Sequence, residues 1–244
     1  MHFSDAGSEY DLDTGLTMRP SRSHVSRFGL DLEEPLSPTA SEFGENQYQA
    51  FELHDHTPQS HGSSLDTRSQ NRAKIIAHVG SLTTYNSQLL AESAANSGAH
   101  AICAIPPFFY KPDIKTIIKH YKAISSAAGN LPFFVYNLPQ STGTEITPSM
   151  MKEIIDAIPN TSGLKHSGPA FTDLKGFVNL KISCFIGNAN LMLPALTLGA
   201  SGCIDGPLNA APELWSDIWK TFKKNKLEES MAAQEKAIKF SNII

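Results

Sequence analysis

A chain of 244 residues that is 41% hydrophobic and 18% charged is long enough to bury one large core, which excludes a small disulfide scaffold. A formal net charge of −4 offers no concentration of Lys and Arg for phosphates, so nucleic-acid and anionic-membrane partners are not expected. No run of about 18 apolar residues could span a bilayer. The start, Met1-His2-Phe3-Ser4-Asp5, has neither a basic nor an apolar leader region, so the chain reads as cytoplasmic. Cys103, Cys184 and Cys203 are an odd number without CxxC spacing, each in or beside an apolar run, and read as reduced core thiols.

The charges divide the chain near residue 72. All five Arg (Arg19, Arg22, Arg27, Arg68 and Arg72) lie before residue 73, and all fifteen Lys lie from Lys74 onward. Residues 1–72 carry twelve acidic groups against five Arg, a balance of −7, and the remainder twelve against fifteen Lys, a balance of +3. The first segment is rich in Ser, Asp, Glu, His and Pro, and its apolar residues follow neither period 2 nor period 3.6. It cannot bury enough apolar surface to offset its ordering entropy, and it is read as a disordered polar segment preceding a folded domain over 73–244.

From Lys74 short apolar runs alternate with amphipathic segments. Strands are predicted at 74–80, 101–105, 133–137, 163–166, 184–187 and 202–205, as continuous apolar runs of the kind buried on both faces. Helices are predicted at 86–97, 113–128, 148–157, 212–222 and 227–240, with Thr147-Pro148 as an N-cap followed by Pro at the first helical position. Strand starts separated by 27, 32, 30, 21 and 18 residues suit repeated βα units and a parallel sheet. An open doubly wound sheet and a closed barrel both fit this spacing.

Lys165 lies in the apolar stretch Gly163-Leu164-Lys165-His166, with no acidic residue for seven positions on either side. Burial disfavours an ammonium, and a neutral amine can attack a carbonyl to form a Schiff base; the plainer alternative is a lysine that snorkels out at the strand end. Tyr136 ends the preceding strand at the same relative position, and strand ends converge on one face of parallel βα folds. Its alternative is an edge aromatic whose hydroxyl meets a backbone carbonyl. His78, His100, His120 and His166 lack metal-ligand spacing and read as core or surface histidines, and His54-Asp55-His56 sits in the polar segment. No metal or cofactor is called for.

At this pair residues 74–244 resemble the dihydrodipicolinate synthase/N-acetylneuraminate lyase family, the class I pyruvate aldolases. The resemblance rests on Ile76-Ala77-His78-Val79-Gly80, Pro107-Phe108-Phe109-Tyr110-Lys111-Pro112, Val135-Tyr136-Asn137-Leu138-Pro139 and Gly163-Leu164-Lys165. It implies an α/β fold, the (β/α)8 TIM barrel, and tetrameric assembly. It also implies Lys165 as the Schiff-base lysine for pyruvate and Tyr136 as the proton-handling group. By the same matching Tyr110 is an aromatic at the site entrance or a subunit contact, Ser167 a substrate-binding hydroxyl, and Gly187, Asn188, Asp205 and Gly206 line the substrate end.

Departures from the family pattern narrow these expectations. Five residues after the tyrosine the synthases carry an Arg that grips a carboxylate, whereas this chain has Ser141. The sialic acid lyases place an acidic pair just after the glycine matching Gly187, where this chain reads Asn188-Ala189-Asn190. After the last strand, their serine motif is replaced by Asp205-Gly206-Pro207-Leu208-Asn209. About six of eight βα units are recognisable, so the barrel is expected to be incomplete. The Gly-Ser/Thr-Thr-Gly-Glu loop of the first units has only Gly62-Ser63-Ser64 as a nearest match. The expected activity is a lyase cleaving a 2-keto-3-deoxy sugar acid or sialic-acid-like substrate to pyruvate and an aldehyde. The alternative is a catalytically inactive relative that acts through assembly with intact subunits.

Overall fold

The computed structural model describes residues 48–52, as backbone, and 73–243. Seven parallel strands form one sheet whose spatial order follows the chain: β1 (Tyr48–Glu52), β2 (Lys74–His78), β3 (Ala101–Ala104), β4 (Phe133–Asn137), β5 (Thr161–His166), β6 (Ser183–Ile186) and β7 (Gly202–Cys203). The strands from Lys74 onward curl into a half-barrel, the closed-barrel alternative taken part of the way round. β1 falls in the polar segment, where sequence reading expects no strand, and pairs with β2 from Tyr48 opposite Lys74 to Glu52 opposite His78. The rest of residues 1–72, including His54, His56 and Gly62, lies outside the described residues.

The helices are α1 (Thr84–Asn96), α2 (Ile114–Ala127), α3 (Pro139–Thr142), α4 (Pro148–Ala157), α5 (Asp173–Asn179), α6 (Met192–Thr197), α7 (Pro212–Lys223) and α8 (Leu227–Ser241). Three of the long ones start where the sequence provides an N-cap. Thr83 Oγ1 accepts from Asn86 N at 3.1 Å, Asp113 Oδ1 from Thr116 N at 2.8 Å, and Thr147 Oγ1 from Met150 N at 3.3 Å, each satisfying an otherwise orphaned amide. In α2, Ile117, Tyr121 and Ile124 recur at helical spacing and are buried, which is the amphipathic face that docks it.

Alternation along the strands sorts side chains between two layers. Ala77, Ile102, Ala104, Phe133, Val135, Leu164, Cys184 and Ile186 face the helices and form the main core with them. Ile76, Ala101, Cys103, Phe134, Phe185 and Ile204 form a second cluster on the concave side, with Tyr136 packed against it. All three cysteines are free and buried, and burial pushes the Cys103 and Cys184 thiols up to about 12. They are core groups, as expected.

Gly163 marks where the two layers leave no spare room. A Cβ there would meet Phe134 Cε1 at 2.1 Å and the backbone oxygen of Ser183 at 2.6 Å. The β4–β5 register also shifts between Phe133 and Phe134, beside this contact. Gly163→Ala is therefore expected to destabilise the fold by about 1–3 kcal/mol, read as a lowered midpoint in urea unfolding; an unchanged midpoint would show that the strands can part at this point.

His120 joins α2 to α1 through Nδ1, 2.8 Å from Thr84 Oγ1, and burial lowers its pKa to about 4. The unfolded chain titrates this group near 6.5, so between about pH 6.5 and 4 the unfolded state binds the extra proton. Stability is then expected to fall as pH drops through that window, with a slope of up to about 1.4 kcal/mol per pH unit for this group. His120→Gln, which has no proton to gain, should flatten the slope in unfolding curves collected at successive pH values.

Candidate active site

The register of β4 and β5 pairs Tyr136 with Lys165 directly, and both side chains rise on the concave side at the C-terminal mouth of the sheet. Lys165 Nζ lies over the Tyr136 ring, 4.1 Å from its centroid, and both residues are half-buried. The lysine therefore stays in the mouth, and its amine neither snorkels away from the tyrosine nor is sealed from solvent. The His78 ring, from the end of β2, meets Tyr136 edge-on with centroids 5.9 Å apart. Sequence reading treats His78 as an ordinary core or surface histidine, since only the curl of the sheet brings β2 towards β4.

Ser167 and Gly187 complete the near side of the site. The Ser167 amide donates to Asn137 O at 2.9 Å and the Gly187 amide to His166 O at 2.8 Å, which extends the parallel ladder past the strand ends. Ser167 Oγ donates to Gly187 O at 3.4 Å. A Cβ on Gly187 would lie 1.8 Å from Ser167 Oγ and 3.2 Å from Lys165 Cε, so only glycine lets the hydroxyl and the lysine stem lie side by side. Gln140 of α3 donates to Ser167 O at 3.1 Å; its local sequence carries no signal for this role.

The loops after β6 and β7 are tied to each other. Asp205 Oδ2 accepts from Ala189 N at 2.7 Å and Oδ1 from Gly206 N at 2.9 Å. Its carboxylate is thus engaged by the backbone. The Ala189 carbonyl accepts from Trp215 Nε1 at 3.0 Å and from Gln234 Nε2 at 3.4 Å, which anchors the turn to α7 and α8. Asn188 is exposed and caps its own turn by accepting from Asn190 N at 3.0 Å. Among the described residues, Asn190 Oδ1 is buried without a hydrogen-bond partner.

Tyr110, on the loop after β3, is 80% exposed and lies edge-on to Phe109 at 4.9 Å. Among the described residues no three His, Cys, Asp or Glu side chains gather to hold a metal ion, and no helix is long and apolar enough to cross a membrane.

A lysine and a tyrosine on neighbouring strands at the C-terminal mouth of a parallel, barrel-like sheet define a site of the βα-barrel kind. The chain belongs to the Dihydrodipicolinate synthetase family, whose pattern it matches over residues 64–244. It is 32% identical over 168 residues to the N-acetylneuraminate lyase of Mediterraneibacter gnavus, covering 68% of this chain and 53% of that one. To the 4-hydroxy-tetrahydrodipicolinate synthase of Prochlorococcus marinus it is 29% identical over 167 residues, covering 68% and 55%. The sialic acid aldolase of Ruminococcus gnavus superposes with a TM-score of 0.66 both as the wild type, at 31% identity, and as a catalytic lysine mutant, at 30%. These cover 69% and 68% of this chain and 57% and 55% of theirs. The chain spans about half the length of the curated relatives it matches.

Gly187→Ala is expected to displace Ser167 and the Lys165 stem. Reductive labelling of Lys165 with formaldehyde and borohydride, followed by peptide mass spectrometry, should change in rate relative to the other lysines, while far-UV dichroism stays constant. An unaltered Lys165 rate would mean that the glycine serves backbone geometry alone.

Proposed function

We propose that this chain is a class I aldolase, a carbon–carbon lyase that captures a 2-keto acid covalently on Lys165. What carries the reading is the in-register pairing of Tyr136 with Lys165 at the mouth of the sheet, with the amine nitrogen over the tyrosine ring. The Ruminococcus gnavus aldolase has a catalytic lysine, replaced in the mutant that superposes on this chain, and this supports a lysine as the nucleophile here.

The Lys165 amine adds to the C2 carbonyl and water leaves, giving a protonated imine. Tyr136 relays the proton of the C4 hydroxyl, taking it on its oxygen as its own phenolic proton passes to solvent, the O–H bonding pair of the C4 hydroxyl forms the aldehyde C=O, and the C3–C4 bonding pair moves into the imine as an enamine. The enamine takes a proton at C3, and hydrolysis frees pyruvate and restores Lys165. The half-buried setting and the apolar wall of Ile76, Cys103, Phe134 and Phe185 limit water around the pair. Ser167 would hold the keto acid end. Asn188 and Asn190, beyond Gly187, would meet the hydroxylated end with neutral amides.

The substrate in this reading is a 2-keto-3-deoxy sugar acid or a sialic-acid-like compound, cleaved to pyruvate and an aldehyde. Relatives of both activities match about equally, so the choice rests on residues. Ser141 is an exposed hydroxyl on α3 where the synthases have a guanidinium to hold a second carboxylate, which argues for cleavage over synthesis. The reading also carries the homo-oligomer, a tetramer, that the family resemblance implies, and a cytoplasmic setting.

Incubation with pyruvate followed by borohydride should leave a pyruvyl adduct on Lys165 in the peptide map, and Lys165→Ala should abolish it. Tyr136→Phe should keep the adduct and lose about 10²–10⁴-fold in cleavage of the sugar acid. Absence of any adduct on Lys165 would overturn the enzyme reading in favour of an inactive, assembling relative.

A further inference from the structure

Behind the reacting pair, on the helix side of the same two strands, lies a closed polar unit. Asn137 follows Tyr136 and His166 follows Lys165, so alternation turns both inward, and each is 0% exposed. Asn137 Oδ1 accepts from Ile146 N at 3.0 Å and its Nδ2 donates to Ile146 O at 2.9 Å. The same Nδ2 lies 3.1 Å from His166 Nδ1, and His166 Nε2 lies 3.2 Å from Ala170 O. An amide nitrogen can only donate and a carbonyl can only accept, so Nδ1 is the acceptor and Nε2 carries the proton. The contacts are satisfied only by this neutral tautomer.

We propose that Asn137 and His166 are positioning residues that clamp the ends of β4 and β5, holding Tyr136 and Lys165 face to face for as long as His166 is neutral. The clamp rests on the Schiff-base reading only for its effect on turnover; the coupling between the strand ends follows from the contacts themselves. Protonation would place an N–H on Nδ1 against the Asn137 amide, two donors facing each other. Turning the amide over to meet it would forfeit both bonds to Ile146. The amides of Ser167, next in the chain after His166, and of Gly187, just past the end of β6, donate to Asn137 O and His166 O. Loosening therefore passes to the hydroxyl and glycine beside Lys165.

Burial holds the His166 pKa below its ordinary value, against the Ala170 carbonyl and the Asp173 and Glu145 carboxylates, which favour the cation. Asp173 comes from α5 and Glu145 from the segment before α4, while the Phe177 ring of α5 packs on the imidazole at 5.2 Å. The neutral, clamped form thus holds through neutral pH and is lost as pH falls below the ordinary histidine range near 6.5.

The decisive variant is Asn137→Asp. A carboxylate still accepts from Ile146 N, but its second oxygen loses the bond to Ile146 O and needs a proton on Nδ1, which a neutral ring supplies only by giving up Nε2–H to Ala170 O, so the doubly protonated histidine is the form that it clamps best. Hydrogen exchange at the Ser167 and Gly187 amides, corrected for intrinsic pH dependence, should quicken on acidification in the wild type and slow in Asn137→Asp. Sugar-acid cleavage should follow the same reversal, with a loss of about 10²-fold in the unclamped form of each, the scale of a misplacement near 1 Å. Parallel pH profiles for both proteins would overturn the clamp. Where Asn137→Asp does not fold, the His166 titration followed by NMR in the wild type must coincide with the loss of amide protection, and a mismatch refutes it. If amide protection tracks His166 while no pyruvyl adduct forms on Lys165, the clamp stands and the aldolase reading fails.

Discussion

The register between β4 and β5 is the constraint on which the site depends. In parallel strands with a side-chain period of two, Tyr136 opposite Lys165 puts both on the concave side, and Asn137 opposite His166 puts both on the helix side. A slip of one residue in β5 would drive the lysine into the apolar layer with Phe133 and Val135 and would expose the histidine. The register is held in several places at once. Phe134 fills the space that Gly163 vacates, Ile146 is tied to Asn137, and the ladder runs on through Ser167 and Gly187.

The surroundings divide into groups that face the Tyr136–Lys165 pair and groups that fix the loops. Ser167, Gly187 and His78 touch the pair or its immediate support. Asp205 is at the mouth but points its carboxylate at the Ala189 and Gly206 amides, and Trp215 and Gln234 reach the same turn from α7 and α8. Burying the Trp215 side chain completely is worth several times a single hydrogen bond, since truncation of such a residue costs about 3–5 kcal/mol. The last two helices hold the loop after β6 by packing, with the polar contacts setting its orientation.

Much of this architecture is legible in the sequence where the local signal is long. The six strands from Lys74 and the five longer helices follow from apolar runs, caps and helical spacing. α3, α5 and α6 escape that reading because they are four to seven residues long, too short for a period to appear, and two of them contain breakers. Gly176 sits inside α5, where a side chain would strike Pro148 Cγ at 2.7 Å, and Pro194 sits inside α6. β1 is hidden for a different reason: Tyr48–Glu52 mixes polar and apolar residues within a polar segment, and its strand character comes from pairing with β2. Lys165 and Tyr136 are visible because ionisable or polar groups at the ends of apolar strands stand out. Asn137, His78 and Gln140 are not, because their roles arise from partners nine or more residues away.

The place of the pair in the sheet matters in a chain that spans about half the length of the relatives it matches. β4 and β5 are central, with β1, β2 and β3 on one side and β6 and β7 on the other. Strands at the edges of an open sheet lack a partner on one side and fray first. The strand pairings that fix Tyr136 against Lys165 are made between β4 and β5 or between these and β3 and β6, and the helices α2, α4 and α5 cover that region from outside. Loosening at β1 or β7 therefore acts on the outer loops, those of Asp205 and the start of the described chain, before it acts on the amine and the phenol. Local geometry and sheet closure are separable here, and the pairing of Tyr136 with Lys165 is complete in the described residues.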